Sequence, residues 1–204
     1  MAHDKYRLSF TSGSLLQMES IKVAALNLEC GDWNTVREKI LSENLLQART
    51  LNSSKRICRE VISRLKTLSL KELNLLVEGN SLEQKYLLWI AICRRYKFIA
   101  DFAVEVLRER YITLKTDLSY EDFDAFFYAK SEWHDELDKI SPATKRKLRQ
   151  ILFKILQETT LLDTNMLINA AMLPPRLLRE IHNTKRLDLN FFPVFESDLK
   201  ELTS

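Results

Sequence analysis

Apolar residues recur every three to four positions along most of this 204-residue chain, the spacing that lines one face of an α-helix. Tyr6, Leu8 and Phe10 alternate with polar residues instead, which predicts a short strand. Ser14 with Gln17 forms a capping-box pattern for a helix to about Cys30, and Gly31 ends it. Asp32 is placed to cap the next, from Trp33 to about Ser42. After a polar connection over 44–52, a helix capped by Ser53 or Ser54 runs to about Leu68. Ser69 with Glu72 starts a short helix that Gly79 stops, and a boundary falls near Asn80. Ser81 with Gln84 opens the most hydrophobic helix, in which Leu87, Leu88, Trp89, Ile90, Ala91 and Ile92 cover most of the circumference.

Further helices are predicted over 98–110, from Ser119 or Tyr120 through Phe127, over 133–139, and from Pro142 to about Thr159. Asp163 is placed to cap one through Asn169, and Pro174-Pro175 to start one through His182. Leu187, Leu189 and Phe191 alternate as a strand would, before Pro193 interrupts. The expected fold is therefore mainly α: a bundle-like protein in two small lobes, 1–80 and 81–204, with short peripheral strands. The order helix, turn, basic helix over 33–68 resembles a helix-turn-helix with a lengthened connection. A helix followed by a terminal strand near the end is compatible with a winged-helix-like unit.

Charge changes this picture locally rather than globally. The formal net charge is only +3, yet residues 37–66 hold eight Lys or Arg against three Glu, and 141–157 hold five with no acid. Residues 117–138 run the other way, with eight Asp or Glu. On the basic helix, Ile57, Cys58, Val61, Ile62, Leu65 and Leu68 share one side, while Lys55, Arg56, Arg59, Ser63 and Lys66 share the other. Such a helix, opening on small polar residues, suits DNA: its N-terminal N–H groups attract phosphate and its arginines reach backbone oxygens or guanine edges. An ordinary solvated face is the competing explanation. Arg49, Ser53, Ser54, Lys55, Arg56, Arg59 and Lys66 form the first candidate contact set, and Arg146, Lys147, Lys154 and Arg176 the second.

Catalytic chemistry finds little to stand on. With three isolated glycines and no GxxxxGK[ST], the chain has no phosphate cradle of the usual kind. His3, His134 and His182 are scattered, and Cys30, Cys58 and Cys93 form no CxxC pair, so neither a metal site nor a disulfide framework is expected. Glu83-Gln84-Lys85 has the ExK spacing of metal-dependent nucleases but falls in the first turn of a helix, where Glu serves the dipole. Glu121, Asp122 and Asp124 read as surface acidity. The longest apolar run, 86–93, is too short to span a bilayer, and the opening residues lack the apolar core of a secretion signal. A cytoplasmic protein with no cofactor and no small-molecule substrate is expected.

Several stretches resemble the BrxA family, the small component of bacterial BREX phage-defence systems. They are Tyr6-Arg-Leu-Ser-Phe-Thr-Ser-Gly-Ser-Leu-Leu16, Gly31-Asp-Trp33, Asn44 through Thr50, Ser54-Lys-Arg56, Leu87 through Cys93 and Met172 through Leu178. The resemblance covers nearly the whole length. It implies a mostly helical fold, likened to an RNA-binding antitermination protein, an association with double-stranded DNA, and a place beside the other BREX proteins. It carries no catalytic motif. The expectation is a non-enzymatic duplex-DNA-binding component with weak sequence preference. An assembly adaptor working through the segment around Phe123 to Trp133 is the first alternative, and RNA binding by fold analogy the second.

Overall fold

A computed structural model describes residues 5–198. The mainly α expectation holds: helices carry the fold, and among the described residues no strand or sheet forms. In chain order they are α1 (Gln17–Cys30), α2 (Trp33–Ser42), α3 (Leu51–Leu65), α4 (Leu70–Glu78), α5 (Ser81–Arg95), α6 (Lys97–Phe102), a π-helical segment (Ala103–Arg108), α7 (Glu109–Ile112), α8 (Tyr120–Ser131), α9 (Asp135–Asp138), α10 (Pro142–Glu158) and α11 (Pro175–Thr184). Two 3-10 segments, Ser9–Ser12 and Arg186–Phe191, stand where alternation had predicted strands.

The most apolar helix sits at the centre. From Tyr86 to Cys93 every residue of α5 is at most 2% exposed, and α5 packs on α1, α3, α4, α6 and the second 3-10 segment. A helix that is apolar all round can only be stable when wrapped this way. Around it, α1 lies against α2, α3 and α4. A cluster of rings closes the far side: Phe98 meets Phe123, Phe126 and Phe127 edge-on at 5.2–6.0 Å between centroids.

Local chemistry shifts several helix starts. Leu16, in a left-handed conformation at φ 55°, precedes α1 with no side-chain cap, so the Ser14–Gln17 box does not form. The two residues make other contacts: the Gln17 amide donates to Gln84 (3.0 Å), and the Ser14 backbone carbonyl accepts from Arg64 (2.7 Å). Gly31 ends α1 as expected, at φ 71° where a side chain would be strained. Asp32 caps α2 through Thr35 N–H (2.8 Å), and Ser69 with Glu72 completes the predicted box. For α5 the box forms one residue earlier, between Asn80 and Glu83.

The strand predictions fail for want of partners. Tyr6 stacks on His134 (3.9 Å) and Phe10 packs on Tyr96 and Phe98, so their alternation serves burial in an irregular segment. Asp163 caps a tight turn, accepting the N–H groups of Asn165 and Leu167 at 2.8 Å each, and starts no helix. Leu167 and Ile168 instead make isolated antiparallel bridges to Asp117 and Leu162. Near the end, Asp188 is held by Arg94 (2.6 Å), which fixes residues 186–191 as a 3-10 turn. Without a sheet among the described residues there is no wing, and the winged-helix-like expectation is corrected.

Candidate nucleic-acid interface

Thr50, rather than Ser53 or Ser54, caps α3, its hydroxyl accepting the Ser53 N–H at 3.1 Å. Ser53 is half-buried and hydrogen-bonded to the same hydroxyl, while Ser54 is buried with its own hydroxyl unpartnered. Ser54 is therefore not placed to meet a phosphate through its side chain, while the Ser53 hydroxyl, an acceptor in its bond to Thr50, keeps its own hydrogen to donate. The inward face is as the spacing predicts: Cys58, Val61, Ile62 and Leu65 are buried, and Leu68 just beyond the helix is too. Burial pushes the Cys58 thiol up, against the opposing pull of Arg37.

The outward face carries Lys55, Arg56, Arg59 and Lys66, all exposed, with Arg49 exposed just before the helix. None of the five has a hydrogen bond or ion pair to a described residue, whereas Arg64, Arg94, Arg110, Arg149 and Arg176 are tied to carboxylates. Both sides of α3 also feel α2. Exposed Arg37 of α2 lies close enough to Cys58 to act on its thiol. Lys66 reaches the start of α2, where Asp32 is held below the usual carboxylate range first by its bonds to Thr35 and in smaller part by the Lys66 ammonium. The signal for Arg37 was present as charge density over 37–66, but only the packing of α2 on α3 assigns it a side.

The second candidate set divides. Arg146 and Lys147 are exposed on α10 and unpaired among the described residues. Lys154 is 60% exposed with Glu158 a loose 3.7 Å away. Arg176, by contrast, is bound to Glu78 at 2.8 Å and ties α11 to α4. Lys145 and Arg149, on the same helix, both grip Asp124 of α8 (3.0 and 2.6 Å), which leaves them unavailable. α3 and α10 each pack on the Ser9–Ser12 turn.

The acidic stretch is partly engaged by the fold, with Asp117, Asp122 and Asp124 held by cations. Arg110 pairs with Asp117 and Asp122 at 2.8 Å each, and Glu136 accepts the Tyr6 N–H. Glu83 of the ExK spacing is 5% exposed and accepts the Asn80 N–H, so it acts as a cap. Among the described residues no three His, Cys, Asp or Glu side chains are grouped to hold a metal ion. Phe123, Phe126 and Phe127 are core residues, which leaves Tyr128 and Trp133 as the exposed aromatics of the segment, 64% and 68% accessible. No helix is long and apolar enough to cross a membrane among the described residues.

Comparison with known proteins places this geometry in a family. A BREX protein BrxA of Escherichia coli O9:H4 (strain HS) is 30% identical over 152 residues, covering 74% of this chain and 71% of that protein. A BREX protein BrxA of Bacillus cereus (strain H3081.97) is 29% identical over 153 residues, 75% of this chain and 76% of its own. In fold, the crystal structure of an uncharacterized protein from Magnetospirillum magneticum aligns with a TM-score of 0.82 at 20% identity, over 94% of this chain and 99% of that one. The BrxA family model matches residues 4–185, and the chain belongs to the BrxA family.

Proposed function

We propose that this chain is a non-enzymatic component of a BREX phage-defence system that binds double-stranded DNA through the outward face of α3, with α2 and α3 acting as a lengthened helix-turn-helix. The observation that carries the reading is the row of exposed cations, unpaired among the described residues, Lys55, Arg56 and Arg59 on α3 with Arg49 and Lys66 at its two ends. Cations that fold stability does not use are free to replace counterions along a phosphate backbone. Arg146 and Lys147 form a weaker second contact. Few groups on this face are arranged to read base edges, so affinity for all duplexes is expected to be similar.

The test is binding to matched duplex DNA, single-stranded DNA and RNA across a salt series. If all five cations reach phosphates, the slope of log affinity against log salt for duplex is about −4.5. Reversing Arg56 and Arg59 to Glu lowers affinity for every duplex and flattens that slope. Unchanged affinity in the folded double variant would remove α3 from the interface. Preference for structured RNA would transfer the same face to a different nucleic acid. The adaptor alternative rests on exposed Tyr128 and Trp133. It expects defence to survive loss of the α3 cations and to fail when both aromatics become Ser.

A further inference from the structure

The sequence of α3 returns in α10. Residues 54–65 read Ser-Lys-Arg-Ile-Cys-Arg-Glu-Val-Ile-Ser-Arg-Leu, and residues 144–155 read Thr-Lys-Arg-Lys-Leu-Arg-Gln-Ile-Leu-Phe-Lys-Ile. The Lys-Arg pair and the arginine three places on are identical. The apolar positions agree in place: Cys58, Val61, Ile62 and Leu65 are buried on one helix, Leu148, Ile151, Leu152 and Ile155 on the other. A hydroxyl caps each helix, from Thr50 and from Ser141, and both helices pack on the Ser9–Ser12 turn. Residues at matching helical positions stand on matching faces. Lys145, Arg146 and Arg149 are therefore the counterparts of Lys55, Arg56 and Arg59.

The two sets differ at one carboxylate. Asp124 of α8 takes Lys145 on one oxygen (3.0 Å) and Arg149 on the other (2.6 Å), whereas Lys55 and Arg59 are exposed and unpaired among the described residues. Two acid oxygens bridging a lysine and an arginine are what a backbone phosphate would supply at the same place. The hold is open to exchange, because the Asp124 side chain is 33% exposed and partly exposed pairs are weak. Asp124 also bonds Arg149 through Nη1 alone and leaves Nε without an acceptor, short of the two-bond fork of a strong arginine–acid pair. Charge favours an incoming anion: Lys145, Arg146, Lys147 and Arg149 stand against Asp124 and exposed Glu121 on the first two turns of α8. We infer that α10 is a second duplex-DNA contact, which Asp124 holds shut as a stand-in for phosphate. A backbone phosphate that displaces the carboxylate recruits Lys145 and Arg149 beside Arg146 and Lys147. The inference rests on the duplex-binding reading of α3, to which α10 is matched.

Duplex binding by the full chain across a salt series tests this with D124N. Freeing two cations for phosphate should steepen the slope of log affinity against log salt by about 1.8, and raise affinity at about 0.1 M salt by about tenfold or more. E121Q removes an equal charge one turn back on α8 without freeing Lys145 or Arg149, and its slope should match that of the wild type. Adding K145Q and R149Q to D124N should return the slope to the wild-type value. An unchanged slope in D124N, an equal gain in E121Q, or a gain that survives K145Q and R149Q would each overturn the assignment and leave the α3 reading standing. No duplex binding by wild type or by D124N would sink the α3 reading first, and this inference with it. D124S, which keeps a hydroxyl acceptor beside Arg149, repeats the measurement if D124N unfolds. Should neither variant fold, Asp124 is a tie that phosphate cannot replace, which overturns the inference as well.

Discussion

Arg64 and Glu60 stand one turn apart on α3 and meet 2.7 Å apart, Nε to Oε1, both shut away from solvent. The same carboxylate oxygen accepts the Tyr96 hydroxyl at 2.6 Å, and a second Arg64 nitrogen donates to the Ser14 carbonyl at 2.7 Å. Burial, together with the Glu60 charge, pushes the Tyr96 phenol up and keeps it a donor. One helix thus spends one arginine on holding the fold and presents two others to solvent. Replacing Arg64 by Ala leaves a buried carboxylate without its cation and is expected to cost about 3–5 kcal/mol. Replacing exposed Arg59 by Ala should stay within about 0.5 kcal/mol. Urea denaturation of the two variants separates these roles.

The cap of α3 offers a second comparison. Thr50→Ala removes the acceptor of the Ser53 N–H and should destabilise by about 1 kcal/mol. Ser54→Ala deletes a buried hydroxyl that has no partner, so its effect should be neutral or stabilising. Equal losses in both variants, measured by thermal and urea unfolding, would contradict this assignment of the cap.

Arg94 joins Glu72 and Asp188 beneath the surface, and the two acids respond to pH with opposite sign. Burial raises the Glu72 carboxyl, but the Arg94 bond, the Ser69 N–H and the Arg94 charge together outweigh it and hold the group below its ordinary value. At Asp188 burial prevails over Arg94, and the carboxyl is raised. A depressed acid stabilises the fold above its unfolded pKa, and that contribution fades as pH falls through the folded pKa. A raised acid works the other way: its ionised form costs stability near neutrality, and protonation relieves the cost. Glu72→Gln should therefore destabilise more than Asp188→Asn at pH 7, by up to about 3–5 kcal/mol for a broken buried pair. The gap should narrow below the carboxylate range, where wild-type Glu72 is itself protonated. Urea unfolding at pH 7 and near the acid limit of folding reads both signs.

Helix periodicity was legible in the sequence because it is a local property: the 3.6-residue spacing located α3, α5 and α10, and Gly31, Asp32 and the Ser69–Glu72 box marked ends that depend on neighbours a few residues away. The exposed row Lys55, Arg56, Arg59 and Lys66 was legible for the same reason, since residues at helical spacing share a face whatever the rest of the chain does. What tertiary structure alone decided was the use of each polar group. Tyr6 and Phe10 alternate like a strand but found rings instead of a partner strand. Arg64 and Arg176 carry the same charge as Arg59, yet one lies buried on Glu60 and the other is tied to Glu78. Arg37 comes beside Cys58 of α3 only through the packing of α2. A side chain's charge is written in the sequence, but whether that charge meets a carboxylate, water or nothing depends on segments far away in the chain. Desolvation and pairing are properties of the packed whole.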